Sequence, residues 1–201
     1  DELKKITTPD NLIKISKDKQ TLDLLKIIFP ELKYIDNFSK ITSQAKFFFD
    51  EVDFLFLLSV MIIDDTDNVD YFLYKYNLSK KDQNRIKFIS DFYKNKPNLK
   101  TFSEKNINKI LYYNGKQAVL DILIYNIFRS KKSNQKIIND LIELYKSKNT
   151  PLMPIKADLL KSKYNIIEGR NLGNKLKLIE KEWVENNFQI SEEQVENIIN
   201  N

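Results

Sequence analysis

The sequence predicts an all-α chain, an irregular multi-helix body followed by a small helical tail. Three observations predict it. Apolar residues recur at helical spacing in nearly every segment, and none sustains the alternation of a strand between two turn signals. Serines and aspartates stand just ahead of several apolar runs, where helix caps belong. Pro30, Pro151 and Pro154 fall between the periodic segments, where proline ends a helix.

Each element follows from these signals. "DLLKIIFPEL" (23–32) carries an apolar stripe that Pro30 stops. Phe49 to Ile63 is apolar on most faces and reads as a central buried helix. Its longest apolar run, "FLFLLSVMII", falls short of the roughly 20 residues that a bilayer span needs, so no membrane partner is expected. "SKKDQNRIKFISDFYKN" (79–95) opens at Ser79, with Asp82 three positions on and Ile86, Ile89 and Tyr93 along one face. "SEKNINKILYY" (103–113) repeats the device, with Ser103 as cap and Gly115 closing the helix. An apolar helix over 116–130 and one over 133–148, capped by Ser133, follow. "KSKNTPLMPIKADLL" then breaks the pattern, placing a boundary near Asn149. Beyond it come a short helix from Ala157, a longer one from about Asn171 to Asn187, and a last one capped by Ser191. Three segments are expected, at 1–45, 46–149 and 150–201.

Composition narrows the chemistry. A hydrophobic content of 42% supports a core. With no Cys and no His there is no disulfide, no Cys/His zinc site, no thiol nucleophile and no Ser/His/Asp triad. The lack of Cys fits a reducing compartment and no targeting segment is visible, so a cytoplasmic location is expected. The first residues, "DELKKITTPDNL", are already charged in a helical pattern, which suggests a chain cut from a longer protein.

The net charge of +5 is unevenly spread. Residues 45–70 hold one Lys against seven acids, a net −6. Residues 71–148 hold 17 basic and 6 acidic residues, a net +11. Such polarity can serve a face for a polyanion. It can equally reflect a codon bias toward Lys, Asn and Ile, all abundant here.

Two motifs bear on chemistry. In "IIDDTDN" (62–68), Asp65 and Asp67 have the D-x-D spacing that can hold magnesium for phosphoryl transfer. No phosphate cradle or glycine-rich loop precedes them. The plainer reading is a solvated loop, with Asp67 capping the helix that starts near Val69. The second motif is the concentration of two of the three glycines, Gly169 and Gly173, in "EGRNLGNKLKLI". Gly169 suits a positive φ, and Gly173 permits close backbone approach in the first helical turn. That turn presents unpaired N–H groups, to which Arg170 and Lys175 add charge, as in helix-hairpin-helix phosphate binding. Tight helix packing is the other reading of the same glycines.

The order of motifs resembles the C-terminal half of bacterial class II tRNA nucleotidyltransferases, the CCA-adding and poly(A) polymerase family, of the alphaproteobacterial type. Four stretches carry the resemblance. "DELKKITTPDN" looks like the end of the family's motif E, of which Glu2 and Leu3 remain. "YNLSKKDQNRIKFI" (76–89) and "ILYYNGKQAVLDILI" (110–124) look like two segments of the family's body. "PLMPIKADLL" with "EGRNLGNKLKLIEKEWVENNF" looks like the tail. There Asp158, Leu159, Gly169, Gly173, Leu176, Glu180, Trp183 and Phe188 fall in order. Arg170 stands where the family usually has Pro, and Ala157 where Gly is common.

The resemblance implies a neck remnant at 1–45, a body at 46–149 and a tail at 150–201, holding the acceptor and TΨC arms of tRNA. The family's catalytic head, with its "GG-x-VRD" and D-x-D motifs, is not in this sequence. Mg2+ and ATP or CTP belong to that head, so no catalytic residue, metal ligand or cofactor is expected here, and no nucleotide addition by this chain alone. The partners implied are tRNA or other RNA and the protein's own N-terminal head. Duplex RNA is met largely through shape and phosphate. The RNA-binding residues expected on this reading are Arg129, Lys131, Lys132, Lys161, Lys163, Gly169, Arg170, Gly173 and Lys175. The competing expectation is a stand-alone helical interaction module whose basic face meets an acidic protein.

Overall fold

Short polar side chains decide where the helices begin. The computed structural model describes residues 2–129 and 135–200, and every regular element among them is helical. Helices α1 (Glu2–Ile6), α2 (Pro9–Lys17) and α3 (Lys19–Ile28) come first. The Thr8 hydroxyl accepts from the Asn11 N–H, and the Asp18 carboxylate from the Gln20 N–H. α3 stops two residues before Pro30, whose ring disfavours helical backbone at Phe29. A 3-10 turn (Ile35–Lys40) leads to α4 (Ser43–Phe47), α5 (Phe54–Ile62), α6 (Asn68–Lys75) and α7 (Lys80–Lys94). A second 3-10 turn (Leu99–Phe102) precedes α8 (Glu104–Arg129), followed by α9 (Gln135–Ser147), α10 (Ala157–Tyr164), α11 (Arg170–Glu185) and α12 (Glu192–Asn200). Lys131, Lys132 and Ser133 lie outside the described residues.

Several expected boundaries move for identifiable reasons. The central apolar helix starts at Phe54 rather than Phe49, because the Asp53 carboxylate caps it by accepting from the Phe56 N–H at 3.0 Å. Asp67 occupies the cap position of α6, but its side chain makes no capping bond. The Thr66 hydroxyl does so instead, accepting from the Asn68 N–H at 3.2 Å. Ser79 caps α7 as expected and also donates to the Asp82 carboxylate at 2.7 Å. Gly115 interrupts α8 with φ 83° and ψ 171°, backbone that an L side chain rarely adopts, and the chain turns helical again at once.

The chain divides into two compact units. One comprises Asp1–Asn98 and Gln117–Ser147, the other Leu99–Lys116 and Lys148–Asn201. These lines differ from the three segments expected at 1–45, 46–149 and 150–201, since residues 99–116 go with the tail and the first helices go with α5–α7.

In the first unit α5 is the buried centre, with Phe56, Leu57, Leu58, Met61 and Ile62 all at 2% exposure or less. α7 presents Ile86 and Ile89, and the second half of α8 presents Val119, Ile122 and Leu123, all fully buried. Two polar groups hold this core in register. The buried Asn68 amide donates to the carbonyls of Glu31 and Ile62, at 2.9 and 2.7 Å. Arg85 on α7 grips the Asp121 carboxylate through Nε and a terminal nitrogen, at 2.7 and 2.9 Å, and reaches Asp53 with the other. Asp121 is 3% exposed and also accepts from Gln117 at 2.9 Å.

Replacing Arg85 with Ala leaves the Asp121 carboxylate buried and nearly unpaired, so a loss of about 3–5 kcal/mol is expected in urea denaturation. A loss below about 1 kcal/mol would show that the pair does not hold the core.

Asp53 gives a separable pH effect. Burial pushes its carboxyl up, but Arg85 and the Phe56 N–H outweigh this and hold it below its usual 3.8. Its folded value being depressed, the stabilisation is complete above 3.8 and is lost as pH falls through the folded value. Asp53→Asn keeps a capping oxygen and removes the charge. The stability gap between wild type and this variant is expected to be full at neutral pH and to close in acid. A gap that stays constant with pH would assign it to the cap alone.

Candidate nucleic-acid interface

Among the described residues, four of the seven acids of residues 45–70 meet cations of residues 71–148. Arg85 reaches Asp53, Lys87 reaches Asp70 at 3.0 Å, and Lys146 reaches Glu51 at 2.8 Å. Arg129, at the last described turn of α8, holds Asp65 through both terminal nitrogens. Its guanidinium carbon lies 5.9 Å from the centre of the Tyr93 ring. Burial works against the Arg129 charge, but Asp65 offsets this and raises its value overall. Part of the polarity along the sequence therefore becomes internal pairing, because acids of residues 45–70 and basic helices are folded against one another. The Asp64–Asp67 loop takes part: Asp64 pairs with Lys33 at 2.7 Å and accepts from Thr66. Among the described residues no group of three or more Asp, Glu, His or Cys is placed to hold a metal ion.

The second unit is built around α11. Its inner face carries Leu172, Ile179, Trp183 and Val184, all buried. Leu160 from α10 and Val195 from α12 complete a small core with Leu172 and Ile179. Residues 104–114 close the other end. Tyr112 packs edge-on against Trp183, with centroids 5.4 Å apart, and its hydroxyl donates to Glu180 at 2.5 Å. Burial first, and then the Glu180 carboxylate, push the Tyr112 hydroxyl up to about 12. The Phe188 ring lies tilted against Trp183, with centroids 5.0 Å apart.

Most of the tail cations expected to meet a ligand already have partners. Lys161 lies 3.1 Å from Glu168 and 3.6 Å from Asp158, and Glu168 holds its ammonium above the usual value. Lys163 pairs with Glu192 and sits over the Tyr164 ring. Lys175 donates to the Ile198 carbonyl at 2.9 Å, tying α11 to the last turn of α12. Gly169 precedes α11 with φ 146°, a value open to glycine and strained for other residues. Gly173 is exposed in the first turn, and nothing lies within 4 Å of where its Cβ would stand. Among the described residues no other helix therefore packs closely on Gly173, because α11 turns its Leu172 and Leu176 edge, not its Gly173 edge, toward the core.

Arg170 differs. It is exposed at the first position of α11, with no ion pair or hydrogen bond to another side chain among the described residues. No side chain caps this helix and no acid occupies its first turn. Arg170, Asn174, Lys177 and Lys181 follow at intervals of four, three and four, so they form one stripe opposite the buried face. All four are exposed, and none is paired among the described residues. The acids of α11 are engaged elsewhere: Glu180 with Tyr112, Glu182 with Asn186 and Gln194, and Glu185 with Lys109. Lys177 and Lys181 were not among the residues expected from the sequence. Their signal lies in the helical spacing from Arg170, one and two turns beyond the glycines that mark the start of the helix.

Comparison of the chain with protein-family models, with curated proteins and with solved structures finds no match.

Trp183 is 2% exposed, and it is the only Trp. A fluorescence maximum at short, apolar wavelengths is expected in the folded protein, and Trp183→Ala is expected to cost about 3–5 kcal/mol. A solvent-like maximum under native conditions would contradict this packing.

Proposed function

We propose that the chain is an RNA-binding helical module, the body and tail of a tRNA nucleotidyltransferase of the CCA-adding or poly(A) polymerase kind. On this reading it grips the acceptor and TΨC arms while an N-terminal head, using Mg2+ and ATP or CTP, adds nucleotides. The observation that carries the proposal is the unpaired stripe Arg170, Lys177 and Lys181. It lies on the solvent face of α11, within the stretch whose motif order is the most specific part of the resemblance. A line of cations along one helix, beginning at an uncapped N-terminal turn, suits a phosphate backbone, which needs charge and N–H donors but no base code. Two further contacts support it. Arg85 and Asp121 come from the two body stretches and pair with each other, and Tyr112 of the second stretch meets Glu180, Trp183 and Phe188 of the tail.

Filter binding to tRNA at two salt concentrations tests this. Arg170→Glu, Lys177→Glu and Lys181→Glu are each expected to weaken binding. Each is also expected to lower the slope of log affinity on log salt, by roughly one unit or less for every phosphate that the variant no longer neutralises. Lys19→Glu, an exposed and unpaired lysine of the other unit, is the control and is expected to have the smaller effect. Equal effects of all four changes, or binding indifferent to salt, would remove α11 from the RNA site.

A further inference from the structure

In the first unit a half-enclosed cavity of about 290 Å³ lies among the 3-10 turn Ile35–Lys40, α5 and the end of α8. Tyr34, Phe38, Tyr125 and Phe128 form aromatic walls. Phe38, Ile63 and Tyr125 are 1%, 1% and 3% exposed and form the closed floor, while the partly buried Tyr34 and Phe128 leave ring surface open to an occupant. The polar lining is of another kind. Lys40 and Asn37 are exposed, and Lys40 has no ion pair among the described residues. Arg129 also lines the cavity. Asp65 engages one N–H of each terminal nitrogen and Tyr125 also meets this side chain. A guanidinium has five donors, so Arg129 retains capacity for a further acceptor. Among the described residues no carboxylate lines this cavity.

We propose that this cavity is a nucleotide pocket, receiving one nucleoside monophosphate unit with its base among the aromatic walls and its phosphate toward Lys40 and Arg129. Aromatic side chains accept the face of any base, and cations at the rim accept the phosphate. Asn37 offers both a donor and an acceptor to a base edge. A cavity of about 290 Å³ is at the lower end of small-molecule sites, which suits one nucleotide and not two. The unit has two sources, a free mononucleotide or an unstacked nucleotide of an RNA strand. The proposal is independent of the α11 stripe, which belongs to the other unit, and its first test contains no tRNA.

The experiment is calorimetric titration of the intact chain with AMP, adenosine, ribose 5-phosphate and a six-residue oligo(A) RNA. AMP is expected to bind, and adenosine and ribose 5-phosphate each to bind at least about tenfold more weakly, since one lacks the phosphate and the other the base. Lys40→Glu changes an exposed residue and is expected to weaken AMP by about tenfold. Val60→Phe places a ring in the cavity and is expected to abolish AMP binding, with helical circular dichroism confirming the fold. Tighter binding of the hexamer than of AMP assigns the pocket to a nucleotide within a strand, and equal binding assigns it to the free nucleotide. The proposal is overturned if AMP fails to bind, if ribose 5-phosphate binds as well as AMP, or if Lys40→Glu binds AMP as wild type does.

Discussion

One guanidinium holds the first unit in register. Arg85 ties α7 to the second half of α8 through Asp121 and to the start of α5 through Asp53. With Asp121 nearly inaccessible, the pair can be satisfied in few arrangements of the three helices. Apolar residues would pack α5, α7 and α8 together in many rotations with similar burial, and a buried carboxylate penalises all but those that bring it a partner. Asp53 has a double duty, since the carboxylate that starts α5 also receives Arg85. Local helix initiation and long-range docking are thus set by one side chain.

The second unit has a comparable node of mainly aromatic character. Tyr112, Glu180, Trp183 and Phe188 meet where residues 104–114 join α11. The aromatic rings supply area and edge-to-face geometry, and the Tyr112 hydroxyl gives Glu180 a donor. This contact explains why residues 99–116 belong with the tail. Gly115 stands two residues before the chain passes from the second unit back to the first, where positive φ lets a helix stop and restart within one residue.

Electrostatics divides the cations into two groups. Many lysines and arginines on the sequence's basic run face acids a long way off along the chain. Such pairs at the surface contribute little to stability, on the order of 0–1 kcal/mol each, but they remove charge from any outward field. The stripe on α11 is among the cations left uncompensated, since the acids of that helix are engaged by Tyr112, Gln194 and Lys109. A helix whose acids are engaged by neighbouring groups while Arg170, Lys177 and Lys181 stay unpaired presents a positive line, although the segment 151–188 carries a net charge of only +2.

The sequence by itself determined the helical class and several helix starts from α6 onward. Each follows from interactions within a few residues, namely caps such as Ser79 and Ser191, the block at Pro30, and the apolar period around Ile179 and Trp183. Local rules failed where a neighbour nearby in sequence competed for the same role. Thr66 displaced Asp67 as the cap of α6, and Asp53 started α5 later than its apolar run suggested. For the candidate site, Gly169 and Arg170 were read from the residues, whereas Lys177 and Lys181 were not, although their helical spacing from Arg170 carried the signal. The occupation of Lys161, Lys163, Lys175 and Arg129 was not, because their partners Glu168, Glu192, the Ile198 carbonyl and Asp65 lie 7 to 64 positions away. Only the tertiary structure decided which charges are spent on the chain itself. Ion pairing depends on separation in space, and no period or cap encodes that distance.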